Sequence, residues 1–167
     1  MRNSTRRIPL SRGKFTIVDS ILFDYLNQWK WNAEENKRRR ADSVWYATRG
    51  FMRNGKRFTM RMHQEIAIIL GFPKGDSDHK NRDGLDNRIE NLRPCNQSQN
   101  NGNRVKWPGC TSQFKGCWFD PKRQQFEVKI ACRRIRYHIG RFRSEHQAML
   151  AYLEAAEILF GEFARVK

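Results

Sequence analysis

An acid directly followed by an imidazole, Asp78-His79, opens a polar stretch that also carries Asn91 and Asn100. The surrounding segment, 74–104, is crowded with Asn, Asp and Gly. Carboxylate and amide oxygens suit a hard divalent cation, and an imidazole that titrates near neutral pH can take a proton in a hydrolytic step. Asp78 and Asn100 are therefore candidate metal ligands, and His79 is the candidate general base. Each also has a structural reading: Asp78 as a turn residue, Asn91 as a cap, Asn100 as an amide on a helix surface. What sets the cluster apart is its setting, because a metal-and-base site inside a cationic chain suits an enzyme that cuts a polyanion.

The 167 residues make one domain or two small ones. The net charge of +16 is unevenly spread. Residues 1–60 hold 14 Lys/Arg against 5 Asp/Glu, residues 61–106 hold 8 against 6, and residues 107–167 hold 11 against 6. The flanks are basic and the polar centre is nearly neutral. A basic surface gathers a polyanion by releasing its counterions, without reading base sequence. Nucleic acid is the expected partner, ahead of a membrane or an acidic protein. No apolar run is long enough to span a bilayer, and Met1-Arg2-Asn3-Ser4 leads into no signal-peptide core; an intracellular protein is expected. Cys95, Cys110, Cys117 and Cys132 lack zinc-knuckle spacing and are expected to be free thiols in a reducing compartment.

The elements that must position the polar stretch read as follows. Val44-Trp45-Tyr46-Ala47-Thr48 has strand composition, Asn54-Gly55 is a two-residue hairpin signal, and Arg57 to Met62 alternates as a return strand would. Asp24 to Trp31 places Phe23, Tyr25, Leu26 and Trp29 at or near helical spacing, as core. Lys37-Arg38-Arg39-Arg40 is a charge run, either a solvated loop or a segment lying along phosphates. His63 to Leu70 predicts a short helix closed by Gly71, Asp86 to Leu92 a short turn element, and Gln97 to Arg104 a further helix. Residues 105–109, with Pro and Gly, read as a linker. Beyond it, Phe114 to Trp118 predicts a strand and Asp120-Pro121-Lys122 a turn. Gln125 to Ala131 alternates, with Phe126, Val128 and Ile130 on one side. Arg134 to Ile139 repeats the pattern with Ile135, Tyr137 and Ile139 inward. Ser144 can cap a helix whose stripe is Ala148, Ala151, Tyr152, Ala155 and Leu159. The class is α+β: a β-rich basic region over 1–62, a polar core over 63–106, and a three-stranded antiparallel sheet packed on one helix over 107–167. An uncovered cationic sheet face is suited to a DNA groove.

The run from Asp78 to Arg93, with Ser98-Gln99-Asn100 after it, resembles the His-Asn-His (HNH) nucleases, and is most similar to the phage and intron-encoded homing endonucleases among them. Trp29-Lys30-Trp31, the basic hairpin and Met62-His63 resemble their lead-in. The resemblance implies a ββα-metal fold, a hairpin with a long loop followed by a helix. It implies that Asp78 and Asn100 hold one divalent ion, Mg2+ or Mn2+, that His79 is the base, that Asn91 ties down the loop, and that Arg93 adjoins the scissile phosphate. Ser77 and Lys80 stand where the family has apolar residues, which implies a less buried strand, and Asn100 stands where many members have His.

Phe114-Lys115-Gly116, Ile139-Gly140-Arg141-Phe142 and Ala155-Ala156 through Ala164 resemble a second family, the plant Apetala/ethylene-response-factor DNA-binding domain. It implies that the three strands enter the major groove, with Lys115, Trp118, Lys129, Arg136 and His138 at DNA-contacting positions. Arg38, Arg39 and Arg40 are expected to add phosphate contacts. Together the resemblances imply a monomeric, metal-dependent endonuclease that acts on double-stranded DNA without a small-molecule cofactor. It would nick one strand and leave a 5′-phosphate and a 3′-hydroxyl. The alternative is a sequence-specific DNA-binding regulator with an inactive nuclease centre.

Overall fold

The computed structural model describes residues 4–36, 43–73, 76–104, 106 and 109–165. Arg38, Arg39 and Arg40 lie outside the described residues, as does most of the segment read as a linker. The chain is mixed α and β, with several small antiparallel sheets, and it divides into two compact units, Met1–Cys95 and Asn96–Lys167.

In the first unit, β1 (Thr5–Pro9) and β2 (Phe15–Asp19) form a hairpin that leads into α1 (Ser20–Asn27). A second sheet has the order β3-β4-β5, with β3 Asn32–Asn36, β4 Val44–Arg53 and β5 Lys56–Arg61. Its β4–β5 turn is Asn54-Gly55, both at positive φ (50° and 71°), as a two-residue turn matched to strand twist requires. Helix α2 (Met62–Ile69) packs on β4 and β5 and against β6 (Ser77–His79). Strand β6 pairs with β7 (Leu92–Pro94) across a loop that ends in a 3₁₀ turn over Ile89–Asn91.

One core serves this unit: Ile8, Val18, Leu22, Leu26, Trp31, Ala47, Met62, Ile66 and Leu92. Leu92 belongs to the polar segment and Ile8 to the first strand, so the basic N-terminal region and the polar core share their interior. The units therefore divide between residues 95 and 96 rather than at 62 and 106. Helix α1 also differs from the sequence reading. It begins at Ser20, four residues earlier than expected, and stops at Asn27. Leu22 and Leu26 form its buried face. Tyr25 stays exposed, its hydroxyl donating to Glu65 Oε1 at 2.9 Å. Trp31 lies beyond the helix; its indole N–H donates to Leu26 O at 2.8 Å.

The second unit opens with α3 (Gln97–Asn103), whose N-cap Asn96 accepts from Gln99 N while Gln99 Oε1 accepts from Asn96 N. Then come β8 (Cys117–Asp120), β9 (Gln125–Cys132) and β10 (Ile135–Phe142), in the order β10-β9-β8, and α4 (Glu145–Phe160). Helix α4 packs on this sheet, and its buried residues are Ala148, Tyr152, Ala156 and Phe160. Ser144 occupies the N-cap position without a side-chain cap bond. Strand β8 begins three residues later than predicted. Gly116 has φ +71°, and a Cβ there would meet the Tyr152 ring at 2.2 Å. The positive φ at Gly116 lies outside the strand region, and the strand starts only at Cys117. Ile135 and Tyr137 also differ: they remain 55% and 37% exposed. Both pair onto β9 residues, Cys132 and Ile130, but β10 is an edge strand and its first half is left open to solvent.

All four cysteines are free thiols. Cys117 is buried, and burial pushes its thiol up to about 11; Cys132 is buried too. Thiolate is the reactive form. Brief iodoacetamide labelling of the native protein should therefore modify exposed Cys110 first and leave Cys117 and Cys132 until denaturant is added. Early labelling of Cys117, read by mass spectrometry, would contradict this packing. Among the described residues no helix is long and apolar enough to cross a membrane.

Candidate active site and nucleic-acid face

The β6–β7 hairpin brings four of the expected residues together. Asp78 is paired with Arg93 and His79 with Leu92, while Asn91 ends the loop between them. That loop is lashed by one side chain. Asn91 Oδ1 accepts from Asn81 N at 3.1 Å, and its Nδ2 donates to Asp86 O at 2.7 Å and to Asn81 Oδ1 at 3.0 Å. Its own carbonyl accepts from Lys80 N at 2.8 Å. Asn91 thus spans the loop's two ends. Asp86 is held by Arg88 through two nitrogens, at 2.7 and 2.8 Å, and by Asn81 Nδ2 at 2.8 Å. The Arg88 hydrogen bond is the main cause that lowers its pKa. This carboxylate is a buried structural acid.

The loop is also seated on the N-terminal hairpin. Ile17 N donates to Leu85 O at 2.9 Å, Asn87 N donates to Ile17 O at 2.8 Å, and Ile89 N donates to Asp19 Oδ2 at 2.6 Å. Gly84 lies against β4 so closely that a Cβ would fall 2.4 Å from Trp45 O.

His79 is 5% exposed. Its ring packs edge-on to His63, with centroids 4.8 Å apart, and beside Tyr46 at 6.1 Å. Its Nε2 lies 3.1 Å from Asn87 Oδ1. Burial lowers its pKa, opposed by the Asn87 hydrogen bond and by the charges of Asp78, Asp83 and Asp86. Burial, and then the charges of His79 and Arg61, pull His63 well below its usual value. Both rings are therefore neutral near pH 7, and a neutral imidazole is the form that can accept a proton. Ser77 corrects one expectation. It leaves the strand no less buried, being only 9% exposed itself, with its hydroxyl donating to His63 O at 3.2 Å. Lys80 does face solvent; its ammonium donates to Glu90 O.

Asp78 and Arg93 form an ion pair, Arg93 Nη2 and Nε reaching Asp78 Oδ2 at 3.2 and 3.4 Å. This is looser than the about 2.7–2.9 Å of a tight charge-assisted pair. Among the described residues no three His, Cys, Asp or Glu side chains group as a metal cage. Asn100 lies on α3 in the second unit, half-buried.

In the second unit, the sheet face away from α4 carries four of the five expected contact residues. Trp118 pairs with Glu127, Lys129 with His138, and Ala131 with Arg136, which sets Trp118, Lys129, His138 and Arg136 on one side. Lys115 is not among them. It precedes β8, and its ammonium donates to Asn101 O and Gly102 O at 2.9 and 2.6 Å, closing the end of α3. Two further residues share the face. Glu127 sits at its centre, accepting from Trp118 Nε1 at 3.0 Å and pairing with Lys129 Nζ at 2.9 Å, His138 Nδ1 at 3.4 Å and Arg141 Nη2 at 3.3 Å. Arg141 was hidden from the sequence pattern. A bulge between His138 and Gly140 inserts one residue and moves Arg141 from the inward to the outward set.

Asn87 and Thr16, which contact or support His79, were also missed. Asn87 stood in the polar run without distinguishing spacing, and nothing near Thr16 signals its part. No protein-family model matches the chain, and no curated protein or solved structure matches it.

Proposed function

We propose that the protein is a metal-dependent DNA endonuclease of HNH type, built on a ββα-metal core. The observation that carries this reading is the buried, neutral imidazole of His79, locked by a side-chain amide and next in sequence to Asp78, in a loop tied by Asn91. An imidazole held this way serves a proton transfer better than it serves packing. Asp78 supplies a hard carboxylate oxygen, which suits magnesium or manganese, and the amide oxygen of Asn100 is the second ligand that the resemblance implies. A divalent ion bound there would neutralise charge that grows on the leaving oxygen. His79 takes a proton from the attacking water. Arg93 adjoins the phosphate and steadies its negative charge. The expected products are a 5′-phosphate and a 3′-hydroxyl. One such site cuts one strand per event, so the protein acts as a nicking monomer.

The open face of the second unit supports DNA docking: Trp118, Lys129, His138 and Arg141 surround one carboxylate, and Arg136 shares the face. Glu127 also suits the exocyclic amine of cytosine, the base-edge donor that acidic side chains accept from. Glu127→Gln should tighten non-specific duplex binding by up to about fivefold, the weight of an exposed charge pair, while narrowing the gap between target and random DNA. An unchanged ratio in competition gel shifts would remove Glu127 from the reading face. Affinity should also fall steeply with salt, the logarithmic slope being about 0.9 per phosphate neutralised; a flat response is incompatible with phosphate contact.

The test of the activity is nicking of supercoiled plasmid with Mg2+ or Mn2+, where relaxed circles should form before any linear product. The regulator reading is favoured by a different observation, that Arg93 occupies Asp78 Oδ2. Inertness with both ions on DNA from many sources, with duplex binding intact, would decide for it.

A further inference from the structure

A chain of buried hydrogen bonds runs from a backbone carbonyl to the ring of His79, and each link has a fixed direction. Leu85 O can only accept. It takes Ile17 N–H at 2.9 Å and, at 2.7 Å, the hydroxyl of Thr16, which must donate. Thr16 Oγ1, its proton committed, accepts at 2.8 Å from Asn87, so the nearer amide atom of Asn87 is Nδ2. Gly84 O, a second acceptor at 3.5 Å, lies on the same side. Asn87 Oδ1 therefore faces His79 Nε2 at 3.1 Å and accepts from it. Thr16 and Asn87 are both 0% exposed, so water does not compete for these groups. Which nitrogen of a neutral imidazole carries the proton is set by what the other nitrogen's neighbours demand.

We infer that Thr16 and Asn87 are positioning residues that hold His79 in the Nε2–H tautomer, making Nδ1 its proton-accepting nitrogen. The tautomer follows from the hydrogen-bond directions alone. Its catalytic consequence rests on the nuclease reading. Neither residue touches the reacting atoms; both act through His79. Thr16→Val keeps the shape but removes the hydroxyl. Asn87 Nδ2 then loses its acceptor and Leu85 O one of its donors. The amide can then rotate and offer Nδ2 to the ring, which would draw the proton to Nδ1. Thr16→Ser retains the hydroxyl and should behave as wild type.

The experiment is a long-range 1H–15N correlation spectrum of the full chain, recorded where the rings are neutral. The four histidines are assigned by single substitution, and nicking kinetics are measured alongside. In the wild type the His79 signals should show a protonated Nε2 and a bare Nδ1. In Thr16→Val the bare nitrogen should move toward Nε2. Turnover should fall about 10–100-fold, the usual weight of a partner that orients a functional histidine. KM should change little, and Thr16→Ser should restore both readings. A wild-type ring protonated at Nδ1 overturns the inference without any variant. A folded Thr16→Val protein with the wild-type tautomer and rate overturns it as well. Should Thr16→Val not fold, the wild-type spectrum and its retention in Thr16→Ser decide. If every protein fails to nick while the ring shows the stated tautomer, the nuclease reading falls and the positioning chain stands.

Discussion

His79→Ala is expected to lower the nicking rate about 10²–10⁴-fold, the range set by losing a positioned base, with duplex affinity kept within about twofold. The two effects separate because His79 is a buried, neutral group and contributes no exposed charge to phosphates. On the DNA-binding reading, affinity in a chain of net charge +16 would come mainly from Lys and Arg at the surface. The variant leaves a cavity beside His63 and Tyr46 and strands the carbonyl of Asn87, so some loss of stability is expected. Nicking should accordingly be measured well below the variant's melting temperature. The checks are the rate at which supercoiled plasmid becomes relaxed circle, and a gel shift on the same DNA. A variant that cuts at the wild-type rate would move the base to another residue. Loss of binding in parallel with cutting would mean that the site and the docking surface are not separate.

What could be read from the sequence divides along one line. Features fixed by neighbours in the chain were legible. The β4–β5 hairpin follows from Asn54-Gly55, whose two positive φ values few other dipeptides tolerate. Strand β9 follows from its alternation, and α3 from the run that Asn96 caps. The grouping of Asp78, His79, Asn91 and Arg93 was legible as a motif. Features fixed by distant partners were not. Helix α1 starts four residues before the expected Asp24 because Leu22, one turn ahead of Leu26, is part of its buried face; Leu26 is core as expected, Phe23 and Trp29 pack against that core, and Tyr25 is exposed. The division at residue 95 depends on Leu92 sharing an interior with Ile8, and on Ser98 Oγ accepting from Arg133 N at 2.6 Å within the second unit. Arg141 was lost to a single-residue bulge. Thr16 lies 71 residues from Asn87, and no local pattern can reveal a pairing at that separation.

Gly84 shows the same limit and yields the second large effect. In the sequence it is one more turn-forming residue in a polar loop. In the fold, the space its missing side chain would fill is already occupied: a Cβ would lie 2.4 Å from Trp45 O and 2.6 Å from Tyr46 Cδ1. Neither neighbour can yield cheaply. Trp45 is pinned by its pairing with Glu35 in the β3–β4 ladder, and the Tyr46 ring packs against both His63 and His79. The loop must therefore move. Leu85 follows Gly84 directly, and its carbonyl anchors Thr16 and Ile17; Asn87 is three residues on. Gly84→Ala should cost about 1–3 kcal/mol, as overpacking does, and should slow nicking at least about tenfold by disturbing the support of His79. Gly50→Ala is the control. Its Cβ would lie 3.4 Å from the Arg57 side chain, a flexible group that can step aside, so stability and nicking should stay near wild type. Calorimetry and nicking on the two variants provide the comparison. If Gly84→Ala matched Gly50→Ala in both, the loop would not depend on its seat against β4, and the preorganisation of His79 would have to come from the β6–β7 hairpin alone.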